Sequence, residues 1–566
     1  FKLRHLKVQD DELVSTISNI GKLVNLQELV KFNVHDKDGH RITELKNMTV
    51  LQKIHISKLE SIHSKEEAQE SKLNNKKFLR ILTLEWSYNR GTIATEVLEM
   101  EVLEGLQPHQ NLSELKIWDN AGSRPPSWLT NHTLSNIEAI SIGNCKNWEE
   151  LPPFGDLQFL RFLELSGMNN VKQVSHHFYG GNQKRFPSLI ELRLIDMPEL
   201  REWLWLNKDE DNLFPCLQEL LLVSCPKLER LPPLPPTLAR LWMRKTGLKI
   251  VPDLSTYCQI DRNKNSSTPS LLSTINISEC PNLASLKDGL LRHQLIYLET
   301  LSITNCAELT ISHEDDGIPA LATLKTLTID NCPKLTALID NGLPPRLAHL
   351  KLGGSPSFKF NCLQNLTSLY SLSISDCPCI ASLSEESLCN LIALEELLIS
   401  SCKELRSLHL GALISLKRLT VENCPLLEHS SLPRSSSLEY LELNNVLTVS
   451  GLLQNLTSLL SLRIQNCPQL TSFAEEEELE KLILLQSLHI LDCYNLLFLP
   501  TKLHRLKSLE RMYLQNCPRV HSLPESGLPG SLKLIDIRGC PILEGHCRKG
   551  GQEWHKIAHI SNTHNA

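Results

Sequence analysis

The side chains best suited to chemistry in this chain are its cysteines, its histidines and one short run of carboxylates. His555 and His559 stand four apart, a spacing that would put both imidazoles on one helix face as metal ligands, but no third ligand accompanies them. Asn207-x-Asp209-x-Asp211 opens like a calcium loop. It then has Asn212 where the sharp turn needs glycine and Gln218 where a bidentate glutamate should close the site. Cys377-Pro-Cys379 lacks the spacing of a zinc knuckle. No HExxH, GxSxG or GxxxxGK[ST] motif occurs, and the isolated Gly21-Lys22 has no upstream glycine. The expectation is a chain that is not an enzyme and holds no metal or cofactor.

The cysteines are informative for another reason. Twelve of the eighteen, from Cys145 to Cys540, close one nine-residue frame, LxxLxIxxC. It reads Leu298-x-x-Leu301-x-Ile303-x-x-Cys306, recurs at Leu324 to Cys332 and Leu369 to Cys377, and is often followed by Pro-x-Leu. A short fixed period means stacked supersecondary units rather than one globular core. Leu301 and Ile303 alternate with Ser302 and Thr304, the pattern of a half-buried strand. The cysteine at the ninth position turns back inward, so the frame predicts a ladder of buried, reduced thiols, which suits a reducing compartment.

About 22 such strands, spaced about 4.8 Å apart, give an inner sheet with an arc on the order of 100 Å. The expected fold is an α/β repeat solenoid: a leucine-rich-repeat horseshoe with a parallel sheet on the concave face and irregular loops and short helices on the convex face. Residues 1–110 read as irregular N-terminal repeats with a convex helix near 57–77. Residues 111–548 carry the cysteine-type repeats and 549–566 form a tail. Glu475 to Leu482 is a second short helix candidate. Leu3-x-x-Leu6-x-Val8 already fits the frame, so the chain is expected to be a fragment of something longer.

The outward strand positions form the candidate binding face. In the middle rungs they are small and polar: Ser302, Thr304, Thr328, Asp330, Ser373, Ser375 and Ser400. Towards the N-terminus we place Glu85, Trp86, Tyr88, Lys116, Trp118, Arg193, Trp242 and Arg244 on it. Towards the C-terminus come Arg463, His489, Tyr513 and Arg538. Tryptophan, tyrosine and arginine dominate interface hot spots, so partner contact is the expectation for this set. Trp203 and Trp205 flank a loop and are expected to pack beneath it. A net charge of −6 lacks the basic stripe of a nucleic-acid binder, and no apolar run is long enough to span a membrane.

Three segments resemble a known family. LVNLQELVKFNV (23–34) with the stretch 42–86, the CPxL and LP steps at Cys225 to Pro232, and the tail GQEWHKIAHI (551–560) are similar to the repeat region of plant coiled-coil NB-ARC leucine-rich-repeat resistance proteins. The resemblance implies the sensing and autoregulatory region of an intracellular plant immune receptor. Its partners would be a pathogen effector or a guarded host protein, and an NB-ARC domain of the full-length protein. That domain would bind ADP or ATP, with no counterpart in these residues. The implied location is cytoplasmic, or cytoplasmic and nuclear. Cysteine at the ninth position also marks the repeats of F-box substrate adaptors for ubiquitin ligation, the alternative, though those continue differently after the cysteine.

Overall fold

The computed structural model describes residues 3–6, 17–88, 94–130, 133–181, 185–205, 213–252, 270–286, 295–310, 321–335, 343–354, 363–431, 437–449, 453, 456–473 and 479–564. The calcium-like run Asn207 to Asn212 and the first half of the Glu475 to Leu482 candidate lie outside these residues. The chain divides into two compact units, Phe1–Leu298 and Glu299–Ala566. Each is a leucine-rich-repeat solenoid. Among the described residues the long parallel sheet of the first has ten strands, from Glu28–Asn33 to Thr274–Ser278, and that of the second twelve, from Thr300–Thr304 to Asn562–His564. Within each unit the strands pair in parallel, and frame positions align rung to rung, as in Leu301↔Leu327 and Ile303↔Ile329.

Numbering the frame from its first leucine, positions 1, 4, 6 and 9 are buried. Leu298, Leu301, Ile303 and Cys306 are each 1% exposed or less. The twelve ladder cysteines are all buried. Each thiol donates back to the carbonyl two residues earlier, as from Cys377 Sγ to Ser375 O at 3.2 Å and from Cys493 Sγ to Leu491 O at 3.4 Å. Burial pushes the thiols of Cys145, Cys225 and Cys424 up to about 12, so they pack as small apolar groups with a weak donor.

Position 8 carries a rule that the frame as written, with x before the cysteine, leaves out. Every rung from Lys58 to Gly539 has a left-handed residue there except that of Trp86: Asn144, Asn305, Asn331, Asp376, Asn466 and Asn516 are examples, with glycine at 167, 354 and 539. Asparagine, aspartate and glycine tolerate positive φ best, which is why "NC" and "DC" recur. The turn aims the position-8 amide at the next rung. Asn305 N donates to Asp330 O and Asn516 N to Arg538 O, at 2.9 and 2.7 Å. The side chains stack too: Asn331 Nδ2 donates to Asn305 Oδ1 at 2.9 Å. On the opposite edge a serine before position 1 donates to the previous rung, as Ser415 Oγ does to Ile392 O and Ser508 Oγ to Ile483 O, both at 2.7 Å.

The helix expected near 57–77 is not continuous. Ser57 ends a strand, and only Lys65–Gln69 is α-helical, capped by Ser64 Oγ accepting from Glu67 N. Lys58 and Lys72 adopt left-handed backbone, and Leu59, Ile62 and Leu73 dive into the core, so three short turns replace one helix. Lys76 is fully buried. Its ammonium donates to Leu45 O at 2.6 Å and Met48 O at 3.2 Å, and burial lowers its pKa to about 8. The longest helix, Ala94–Gly105, was not anticipated. Its run of good helix formers, TEVLEMEVLEG, was the available signal.

Candidate protein-interaction surface

Strand alternation decides which candidates reach the sheet face. Trp86 shares parity with Leu82 and Leu84 and is 1% exposed, so it is a core residue, correcting its assignment to the face. Its Nε1 has no hydrogen-bond partner among the described residues. Trp203 is also buried, as expected, and its Nε1 donates to Tyr179 Oη at 2.8 Å. Tyr88 lies past the strand end, 63% exposed, with the Lys146 ammonium 4.9 Å above its ring. The remaining candidates lie on strands, facing out.

Most of the charged ones are already engaged. Glu85 pairs with His55 at 2.8 Å and Lys116 with Glu114 at 2.7 Å. Arg193 reaches Glu191 at 2.5 Å and Glu164 at 3.3 Å, and lies over the Phe162 ring. Arg244 pairs with Glu279 at 2.7 Å, Arg463 with Glu442 at 3.1 Å, and Arg538 with Asp536 at 2.8 Å. Exposed pairs of this kind contribute about 0–1 kcal/mol each. They neutralise the face more than they stabilise it.

The aromatic candidates differ by location. Trp118 spreads over Gly143 on the next strand, in register with it; a Cβ there would fall 1.9 Å from the indole ring. Trp242, 37% exposed, stands beside Leu221 in register. Ile195 and Val223 form the adjoining row, also in register and partly exposed. Three consecutive strands thus present Ile195, Leu221, Val223 and Trp242 on a face that is otherwise polar. Sequence reasoning missed the three aliphatic members, two of which lie in ELLLVSC (219–225), which reads as an undivided apolar run. Alternation assigns Leu220 and Leu222 to the core and Leu221 and Val223 to the surface. Around the patch stand Glu164, Glu191, Glu219 and Glu279 against Arg193, Arg240, Arg244 and Lys245, equal in number and paired with one another.

In the second unit His489 and Tyr513 are in register and stack in parallel, 4.4 Å between centroids and 9° between planes. Among the described residues no group of three or more His, Cys, Asp or Glu side chains is placed to hold a metal ion. No helix among them is long and apolar enough to cross a membrane.

Parallel rungs, a thiol ladder and a patterned sheet face are properties of a leucine-rich-repeat solenoid, and relatives agree on the repeat. Residues 42–168 match the family described as R13L1/DRL21 leucine-rich repeats. The chain is a leucine-rich-repeat relative of plant disease-resistance proteins. It is 34% identical over 277 residues to disease resistance protein RGA2 of Solanum bulbocastanum, covering 48% of this chain and 27% of that one. It is 33% identical over 303 residues to the putative disease resistance protein RGA1 of the same species, covering 53% and 29%. Putative disease resistance RPP13-like protein 1 of Arabidopsis thaliana is 32% identical over 295 residues, covering 49% and 27%. The chain therefore spans between a quarter and a third of the length of the relatives it matches. Among solved structures, a Leptospira interrogans leucine-rich-repeat protein covers 77% of this chain and 86% of its own, at 18% identity and TM-score 0.35. The plant peptide hormone receptor RGFR1 in complex with RGF2 covers 97% and 92%, at 15% identity and TM-score 0.33.

Proposed function

We propose that this leucine-rich-repeat region senses a pathogen effector, or a host protein that an effector has modified, on behalf of an intracellular plant immune receptor. The observation that carries the reading is the Ile195–Leu221–Val223–Trp242 patch. Its edges are electrically neutral, and it sets a tryptophan beside aliphatics, the composition of an interface hot spot. The resistance-protein relatives supply the biological setting, and the buried thiols suit the reducing cytoplasm. In the full-length protein a nucleotide-binding NB-ARC domain is the second partner, held inactive until the sensing face is occupied.

The test is a binding screen of purified secreted pathogen proteins against the whole chain, repeated with Trp242→Ala and with Leu221→Ser/Val223→Ser. A specific partner should lose about tenfold to a hundredfold in affinity, since hot-spot truncation costs roughly 2 kcal/mol or more. Binding that ignores both variants would place recognition elsewhere and overturn the assignment of this face.

A further inference from the structure

The sheet face of the second unit has a different chemistry from the apolar patch, concentrated on three strands: Ser461–Gln465, Ser487–Leu491 and Arg511–Gln515. Their central row runs Arg463, His489, Tyr513 in register. The His489 ring is held twice. Tyr513 stacks on one side of it, and Ser487 Oγ lies 2.9 Å from Nε2. Its other nitrogen, Nδ1, makes no hydrogen bond among the described residues. In the tautomer where Ser487 donates to Nε2, Nδ1 carries the proton and is free to donate it.

Arg511 is the next feature. It is exposed at the start of its strand and makes no ion pair among the described residues. The nearest carboxylate in sequence, Glu510, is taken by Lys533 at 2.5 Å. The other charges around the stack are spent: Arg463 on Glu442, and Asp536 on Arg538 and Gln515. Asp492, at the strand end, accepts from Gln465 and Asn516. Arg511, which acts on Glu510 only through the field of its charge, and one imidazole nitrogen flank the aromatic stack without a hydrogen-bonded partner among the described residues.

We propose that Arg511 and the His489–Tyr513 stack form a second docking site, for an acidic segment of a partner protein, whose carboxylate accepts from the Arg511 guanidinium and from Nδ1–H of His489 while a neighbouring apolar side chain covers the Tyr513 ring. Docking is coupled to proton uptake from solvent at His489. The sign follows from the surroundings. Partial burial, then Arg463 and Arg511, hold the free imidazole below its ordinary value of 6.5, so it is neutral at pH 7. A bound carboxylate favours the imidazolium and raises that value in the complex. Affinity therefore increases as pH falls from above the bound value towards the free one, by up to tenfold for each unit of difference. The site shares no residue with the apolar patch, so either can fail alone.

The experiment uses the whole chain and a fluorescein-labelled peptide of alternating glutamate and phenylalanine, with a glutamine-for-glutamate version as control. Fluorescence anisotropy is recorded from about pH 8 to pH 5.5, where the peptide carboxylates stay ionised. We expect the acidic peptide to bind several-fold tighter at the low end and the control peptide not to bind. Arg511→Gln should weaken binding about tenfold at every pH, as loss of a charge-assisted hydrogen bond would. His489→Gln should leave binding at the high end nearly unchanged and abolish the pH dependence. Equal binding of the control peptide, a flat pH profile in the unsubstituted chain, or preference for polyadenylate over the acidic peptide would each overturn the proposal. Both side chains are on the surface, and an unchanged melting temperature confirms that the variants fold.

Discussion

The two units run the same frame with different fillings. In the second, position 9 is nearly uniform: Cys306, Cys332, Cys377, Cys402, Cys424, Val446, Cys467, Cys493, Cys517 and Cys540. In the first it passes through Asn120, Cys145, Met168, Met197, Cys225, Thr246 and Cys280. The first unit instead consolidates its return segments with aromatics. Phe186, fully buried, lies 5.0 Å from Phe178 and 5.2 Å from Phe214, and Trp203 and Tyr179 complete the cluster. The difference teaches that the strand frame sets topology, while position 9 and the returns decide where each unit stores its cohesion. One relies on a line of many small thiols, the other on a few large hubs.

That contrast can be broken at its hubs. Phe186→Ala should destabilise the first unit by about 3–5 kcal/mol, the usual cost of emptying a large aromatic site. Guanidinium unfolding followed by tryptophan fluorescence measures it, and a loss below about 1 kcal/mol would mean the cluster is not a hub. The thiol line should yield less at any one point. Cys332→Ser keeps a carbonyl acceptor, Asp330 O, now 3.4 Å from Sγ, but buries a more strongly hydrated group, at about 1–2 kcal/mol. No change in thermal melting would contradict a buried ladder.

Lys76 sharpens the comparison through pH. Its value is depressed from 10.5 to about 8 in the folded chain, so the unfolded chain binds more protons between those limits. Stability of the first unit should therefore rise as pH climbs from about 8 to 10.5, and this component is lost as pH falls through 8. Lys76→Met should remove that slope; an unchanged slope would acquit the residue. The smallest expected effect is at Gly143→Ala, which displaces the Trp118 ring from the strand beneath it. A red-shifted tryptophan emission with little change in melting is the expected result, and an unaltered spectrum would show that the ring does not rest there.

The repeat, the parallel sheet and the cysteine ladder were legible because they are periodic, and periodicity needs only one sequence. The left-handed step was in plain view as the residue before each cysteine, but a frame that records only apolar positions discards it. The faces were harder. Parity alone would have moved Trp86 inward and brought Leu221 and Val223 out. That arginines 193, 244 and 463 are already paired depends on neighbours about 20 to 35 residues away in sequence, which register brings together and no motif announces, whereas Arg538 pairs with Asp536 on its own strand. The break of the 57–77 segment into short turns follows from Leu59, Ile62 and Leu73 being pulled into the core, a tertiary demand that outweighs helix-forming composition.

The left-handed step also bears on how such a chain can change length. Most rungs hand their position-8 amide to a carbonyl on the next rung, from Asp119 N to Gly143 O through Asn516 N to Arg538 O, through a joint that is nearly the same each time. Two rungs that share this joint can be cut and spliced there without leaving a mismatched seam. A chain built this way can therefore gain or lose whole rungs, altering the span and the lettering of its face while the surviving junctions of this kind still close.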